Sequence, residues 1–320
     1  MRFAGWPTAA TLLNCGQNSG IQIPSMAQKI EIPQSLKADL PPTAWGKLLA
    51  STPVVMAVIA TMLAGLASSE MTKAQYDRSL AAQLQSKAGD QWSYFQAKKL
   101  RSASARNTLD LLAATTITHP LTADALSQAD AATVAALTRN ELPAAKPPKF
   151  DEALQTALDA LGNSAPDAEM AADVANLKDA DLVLALKAAQ QSALDFDNAT
   201  KPINKHSDKL DDALMSGDQN AFRDFSAARL RYTAARYDAE SRLNYTIASI
   251  YELQVRRSNA SAEKHHTRSQ KFFFGMLAAQ LAVIIATFAI AARQRNFLWS
   301  VAAVAGLAAV SFSVYVFIYV

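Results

Sequence analysis

The chain has 320 residues, half of them hydrophobic and only 18% charged, with a net charge of +3. That is more apolar than most soluble proteins, and the length leaves room for two ordinary domains. A single cysteine excludes an intrachain disulfide and carries no information about redox compartment.

The first stretch, 1–46, reads as a flexible, polar, proline-containing lead. Met26 is taken as the natural start, with residues 1–25 as an upstream read or a disordered tail. A lipoprotein signal ending at Cys15 is disfavoured by Asn14 before the cysteine and by Pro7 inside the short apolar run. Residues 48–67 then form an uncharged run of the length an α-helix needs to cross a hydrocarbon core of roughly 30 Å. Two more such runs follow at 272–292 and 298–320. Trp45, Phe272 to Phe274, Trp299, Tyr315 and Tyr319 fall at the ends of the runs, as interfacial aromatics do, and Lys47, Lys271, Arg293 and Arg295 bracket them. Only "RQRN" and Phe297 separate the last two, which predicts a tight antiparallel hairpin.

Between the first and second runs, glycine is scarce, prolines cluster, and Ala, Leu, Gln, Asp and Lys dominate, so helices with punctuation and no sheet are expected. Residues 68–118 read as an outgoing rod with a thin apolar seam at Ala81, Leu84, Ala88, Trp92 and Phe95. Residues 218–271 read as a returning rod, capped by Asp218, with its seam at Tyr232, Ala235, Ala239, Leu243, Thr246, Ile250 and Leu253. Residues 119–217 read as a distal head of three helices: Thr122 to Leu142, Phe150 to Leu161, and Asp167 to Asn198. The predicted fold is therefore all-α: three transmembrane helices, a long antiparallel coiled-coil-like stalk, and a helical head at its far end.

Charge divides along this plan. The two rods, Glu70 to Leu109 and Gln219 to Lys271, together hold seventeen bases and eight acids, whereas Asp110 to Asp218 holds eight bases and eighteen acids. A stalk that is basic near the bilayer is drawn to anionic headgroups, by about 1 kcal/mol per base close to the surface. Arg256, Arg257, Lys264, Arg268 and Lys271 are the candidate headgroup contacts.

The run "DQWSYFQAKKLR" concentrates aromatic and basic residues. On a helix Trp92, Phe95, Gln96 and Lys99 share a face and form the candidate packing or partner surface, to be met by Leu243 and Ile250 of the returning rod; Tyr94, Lys98 and Arg101 point away, toward solvent or lipid. Interleaved aromatics and arginines in Phe222 to Arg242 suit nucleic-acid stacking in principle. Interruption by Asp224, Asp238 and Glu240, and continuation into an apolar run, favour arginine–acid pairing in the stalk, so no nucleic-acid partner is expected. His265 and His266 are adjacent, about 100° apart on a helix, which suits a surface site or pH-sensitive collar better than chelation; His119 reads as a helix end and His206 as loop. Asp208, Asp211 and Asp212 read as a solvated acidic face. The sequence carries no phosphate loop, nucleophile elbow or Cys/His metal spacing, so no catalytic residue, metal or cofactor is assigned. Within the apolar runs, small residues at steps of four (Ala57, Thr61 and Gly65; Ala278, Ala282 and Ala286; Ala302 and Gly306) mark faces for close helix packing, within the chain or between copies.

The run Asp90, Trp92, Tyr94, Phe95, Gln96, Ala97, Lys98 after a first span, followed at the far end by a basic helix and two spans around "ARQRNFLW", resembles the bacterial multi-pass membrane proteins grouped as domain of unknown function 4337. The likeness is carried by Met26 to Arg106 and Phe222 to Val320, and the acidic middle looks like a local elaboration. The resemblance implies architecture and a bacterial inner-membrane location, and carries over no catalytic residue. The expected role is a non-enzymatic stalk or scaffold that associates with itself or organises a partner; the competing reading is an accessory subunit of a larger membrane complex. The short basic hairpin loop with Lys29, Lys37 and Lys47 favours a head outside the cytoplasm, against eight bases near the spans on the head side, because long domains translocate with less regard to charge.

Overall fold

The computed structural model describes residues 44–122, 126, 129–144, 148–215, 217–291 and 295–319. The expected flexible lead therefore lies almost wholly outside the described residues, as does most of the turn between the second and third apolar runs. The chain divides into two units, Met1–Ala50 and Ser51–Val320. Of the first, only the opening turns of a helix are described, and all the packing below belongs to the second.

Seven helices account for the fold, with no strand among the described residues: α1 (Ala44–Thr115), α2 (Ala131–Arg139), α3 (Glu152–Gly162), α4 (Asp167–Asn176), α5 (Asp179–Met215), α6 (Gln219–Ala291) and α7 (Arg295–Tyr319). Three of them, α1, α6 and α7, are long and apolar enough to cross a membrane. Their apolar stretches leave Val54, Val58, Met62, Leu281, Phe288, Leu307 and Phe317 on the outside, a surface suited to lipid and not to water. This is a membrane protein.

Two of these helices do not stop at the membrane. α1 has 72 residues and α6 has 73, each roughly 110 Å at 1.5 Å per residue. They run antiparallel: as the α1 partner climbs from Ala67 to Asp77 to Ser102, the α6 partner descends from Ser269 to Ser261 to Ala234. The buried positions recur at every seventh residue. On α1 they are Ala60, Ala67, Ala74, Ala81 and Ala88, with Phe95 partly buried and Ser102 continuing the series; on α6 they are Ala227, Ala234, Ser241, Ala248, Val255, Ala262 and Ser269. Nearly all are alanine or serine, so the two backbones come close. The Ser102 hydroxyl donates directly to the Ala234 carbonyl at 2.9 Å, and the Ser269 hydroxyl to the Ala67 carbonyl at 2.7 Å.

The seam predicted for α6 turns out to serve a different neighbour. Ala239 and Leu243 pack on Phe196 of α5, and Tyr232 packs with Ile203 of α5 and Phe225. The acidic stretch is thus not stacked beyond the stalk tip. α5 folds back along α6 from Asp208, paired with Arg229, down to Asp179, paired with Arg257. A core of Ala88, Leu154, Met170, Val174, Leu182, Ala189 and Ile250 joins α1, α3, α4, α5 and α6 in one cross-section.

Local chemistry explains the boundaries. Asp130 and Asp151 cap α2 and α3 by accepting the amides of Thr133 and Leu154, and Asn140 closes α2 in the left-handed region, at φ 56°. The single helix predicted over Asp167 to Asn198 is broken at Leu177, which is extended and buried in the core. α5 then continues through Pro202 to Met215, so His206 lies in a helix and not a loop. The proline removes one amide donor, and the burial of Ile203 and Ser207 just beyond it holds the helix together.

If the small seam sets the approach, enlarging it must force the rods apart. Ala248→Leu, at a fully buried position, is expected to cost about 1–3 kcal/mol, while Ala82→Leu, on the exposed side of α1, should stay within about 0.5 kcal/mol. Thermal loss of helical circular dichroism in mild detergent reads the difference.

Candidate functional site

The conspicuous aromatic run of α1 meets α6 at a residue that sequence reasoning passed over. Trp92 packs edge-on against Phe95 and against Tyr245, at ring-centroid distances of 5.7 and 5.4 Å, and Phe95 lies 5.6 Å from Tyr245. Such pairs contribute about 0.5–1.5 kcal/mol each beyond their buried area. Of the partners expected on the returning rod, Ile250 is in the core beside Trp92, but Leu243 faces Phe196 of α5. Gln96 and Lys99 are exposed, and Lys99 reaches across to Asp238 at 3.1 Å. The signal that could have found Tyr245 is the seven-residue spacing of small residues on α6, which sets the register.

One turn farther out, the two rods are tied by charge. Glu240 is almost fully buried and accepts from Lys98 and from Arg236, the latter at 3.0 Å. Asp238 gathers Lys99, Arg106 and Arg242. The Tyr237 ring lies beneath three cations: Arg236 at 4.3 Å, Lys98 at 5.2 Å and Arg101 at 5.7 Å. Lys98 and Arg101, expected to face solvent or lipid, are instead part of the stalk's joint, because Lys98 occupies a seam position that points at α6. Burial pushes the Asp238 carboxyl up, but the hydrogen bond from Lys99 and the charges of Lys99, Arg242 and Arg106 outweigh it and hold the group below its ordinary value. Burial raises the nearby Tyr232 phenol to about 12.

A second polar knot sits at the stalk base. Glu70, nearly buried in the seam, contacts His265 Nδ1 at 2.5 Å and accepts from Lys73 at 2.8 Å. Burial again pushes its carboxyl up, and these two partners bring it below the usual carboxylate range. Of the candidate headgroup residues, Arg257 is engaged elsewhere. It pairs with Asp179 at the start of α5 and donates to the Val174 carbonyl at the end of α4 at 3.2 Å, clamping the break between the two helices. Arg256 pairs with Glu252 on its own helix. Lys264 is exposed, and Arg268 and Lys271 are partly exposed nearer the membrane. Asp208 and Asp211, read as a solvated face, both pair with Arg229 of α6. His119 and His206 lie 3.4 and 3.5 Å from Asp224 and Asp130.

Inside the apolar layer α6 and α7 form the expected hairpin, with Phe272, Ala279, Ala309 and Val316 in one cluster with Ala60 and Leu63 of α1. Ala282, Ala286 and Ala302 are fully buried and Ala278 partly so. Gly306 lies against the Met56 side chain, whose methyl would be 2.4 Å from a Cβ there and would have to swing aside for any larger residue. Ala57, Thr61 and Gly65 are different. All three are exposed, and a Cβ at Gly65 would meet nothing within 4 Å. That face of α1 serves no packing role within the described chain.

The long outgoing helix, its aromatic run and the first part of the folded-back head fall within one family match. Residues 45–188 match the model of a domain of unknown function (DUF4337). Over that stretch, a little under half of its length, the chain is similar to the DUF4337 domain. The match extends through α2, α3 and α4 into α5, so the first part of the acidic middle lies within the domain and is not an elaboration outside it. No curated protein and no solved structure matches the chain.

Glu70 and Asp238 titrate below their ordinary values in the folded chain. The stability they contribute is complete above the unfolded value of about 4 and is lost as pH falls through the lower folded values. The thermal midpoint in detergent should therefore hold from pH 7 to 5 as far as these groups are concerned and drop below about pH 4, and Asp238→Asn should remove part of that drop.

Proposed function

We propose that this chain is a non-enzymatic, membrane-anchored helical scaffold of a bacterial inner membrane, whose coiled-coil-like stalk carries a folded head beside it and organises further copies or a partner. The observation behind this reading is the continuity of α1 and α6, which pass without a break from membrane-length apolar stretches into a stalk held in one register. Such a unit fixes the position and height of whatever it carries. The polar networks of Glu70, Asp238 and Glu240 bind helix to helix, which supports a mechanical use of those charges. Lys264, Arg268 and Lys271 meet anionic headgroups in this reading, and the head lies outside the cytoplasm.

The accessory-subunit reading has one observation in its favour. The exposed Ala57, Thr61 and Gly65 face offers a neighbouring transmembrane helix a close approach. Purification in mild detergent separates the two: a defined homo-oligomer supports self-association, and a stoichiometric foreign protein supports the subunit role.

The stalk is tested directly by cysteine pairing. With Cys15 replaced by Ser, an Ala88→Cys, Ala248→Cys chain should oxidise to a faster-migrating monomer in membranes, because the seam register sets these positions opposite each other. An Ala248→Cys chain carrying Gln85→Cys on the exposed side should not. Failure of the first pair to close would refute the paired stalk, and reporter fusions after Ala160 and Arg295 read its sidedness.

A further inference from the structure

Where the stalk enters the membrane, the seam leaves a groove between α1 and α6 with a volume of about 590 Å³. Its floor is made by small residues, Ala64, Ala67 and Ser269, which lie low because the backbones approach closely there: Ser269 donates to the Ala67 carbonyl. Phe273, Phe274 and Met276 line it from the α6 side. The lining changes character along its length. Ala64 and Met276 belong to the apolar runs, whereas Ser68, His266 and Gln270 lie beyond them, toward the stalk. From Met276 to His266 is ten residues of helix, about 15 Å.

The stalk-side end is equipped to bind a polar group. His266 is partly buried with its Nδ1 free of hydrogen bonds, and its Nε2 lies 3.0 Å from Gln270 Nε2. Ser68 and Gln270, both exposed members of the lining, offer an occupant a hydroxyl and a side-chain amide at this end. At its other end the groove opens past Phe273 and Phe274 onto the exposed apolar surface of the α6 run, where Leu277 continues the same face one turn on. That surface is already the membrane-facing side of the chain, so the groove is continuous with the lipid interface. Its occupant must be apolar for most of its length and hydrogen-bonding at the water end.

We propose that this groove binds one glycerophospholipid, with an acyl chain along Ala64, Ala67 and Phe273 and the glycerol-phosphate region against Ser68, His266 and Gln270. The proposal rests on the membrane-anchored reading. The site is separate from the general attraction of Lys264, Arg268 and Lys271 for headgroups, since those bases lie on the opposite side of α6, roughly 140–200° around the helix from His266. It is a defined site for a single molecule, and not a charge effect of the bilayer surface.

The test uses the full chain purified in mild detergent, with dioleoyl phosphatidylglycerol or dioleoyl phosphatidylcholine added, and counts retained molecules by native mass spectrometry. One phospholipid per chain is expected to survive. Ala64→Trp, which fills the floor, should lower the retained fraction at least about tenfold, and Val55→Trp, at an exposed position about 180° around the same helix from Ala64, should leave it unaltered. The His266→Ala, Gln270→Ala double variant, which leaves the floor intact, should also lower retention. The proposal is overturned if Ala64→Trp retains lipid as the parent does, if Val55→Trp loses it equally, or if a protein mass takes the place of the lipid. A parent chain resistant to carbonate extraction but lipid-free sinks the groove alone; a parent chain recovered without detergent sinks the anchored reading itself.

Discussion

Close approach of two helix backbones, enforced by a small residue at every seventh position, underlies every other contact in the stalk. With alanine and serine at the interface, a side chain on one helix can hydrogen-bond the main chain of the other, as Ser102 and Ser269 do. A bond of that kind has a narrow range of geometry. It fixes axial register, and with it the meeting of Trp92 with Tyr245, of Lys98 with Glu240 and of His265 with Glu70. Alanine contributes little burial per residue. The seam is therefore long in place of being thick, and apart from Phe95 and Val255 the larger side chains lie at its flanks, where α5 covers Tyr232 and Leu243.

This division of labour on α6 explains how the acidic and basic halves of the sequence are used. Their separation along the chain suggests an object polarised from base to tip. In the folded protein α5 lies against α6, so acids of one face bases of the other: Asp208 and Asp211 against Arg229, Asp179 against Arg257. Exposed ion pairs of this sort are worth little individually. Arg257 differs because it also satisfies the Val174 carbonyl at the end of α4, and a helix end left without partners is costly. The basic residues left nearest the membrane are then Lys264, Arg268 and Lys271.

The long elements were legible because their signals are strong. Uncharged runs of membrane length, the absence of any breaker but Gly89 between 68 and 115, and the Asp218 cap, which accepts the Asn220 amide at 3.0 Å, each have a physical reading that tertiary context leaves alone. What escaped was the choice among competing faces. α6 carries two apolar stripes, and a periodicity reading selects the larger residues, Tyr232, Ala239 and Leu243, whereas the stalk partner takes the stripe of Ala and Ser. Pro202 and the break at Leu177 escaped for the same reason: burial of Ile203 holds a helix through a proline, and burial of Leu177 ends one with no breaker present. Tyr245 could be found only from the register, and the register is a property of two segments together.

That last fact governs how the protein is made. α5 with α6, and α6 with α7, are neighbours in the chain and can associate as soon as both members of a pair exist. The stalk bonds join residues 132 and 202 positions apart, and non-local pairings of this kind are slow to close. During synthesis α1 emerges first and must stand with its alanine stripe bare while the next hundred residues are built. The ribosome has to finish nearly the whole polypeptide before the founding helix acquires the companion it was shaped for.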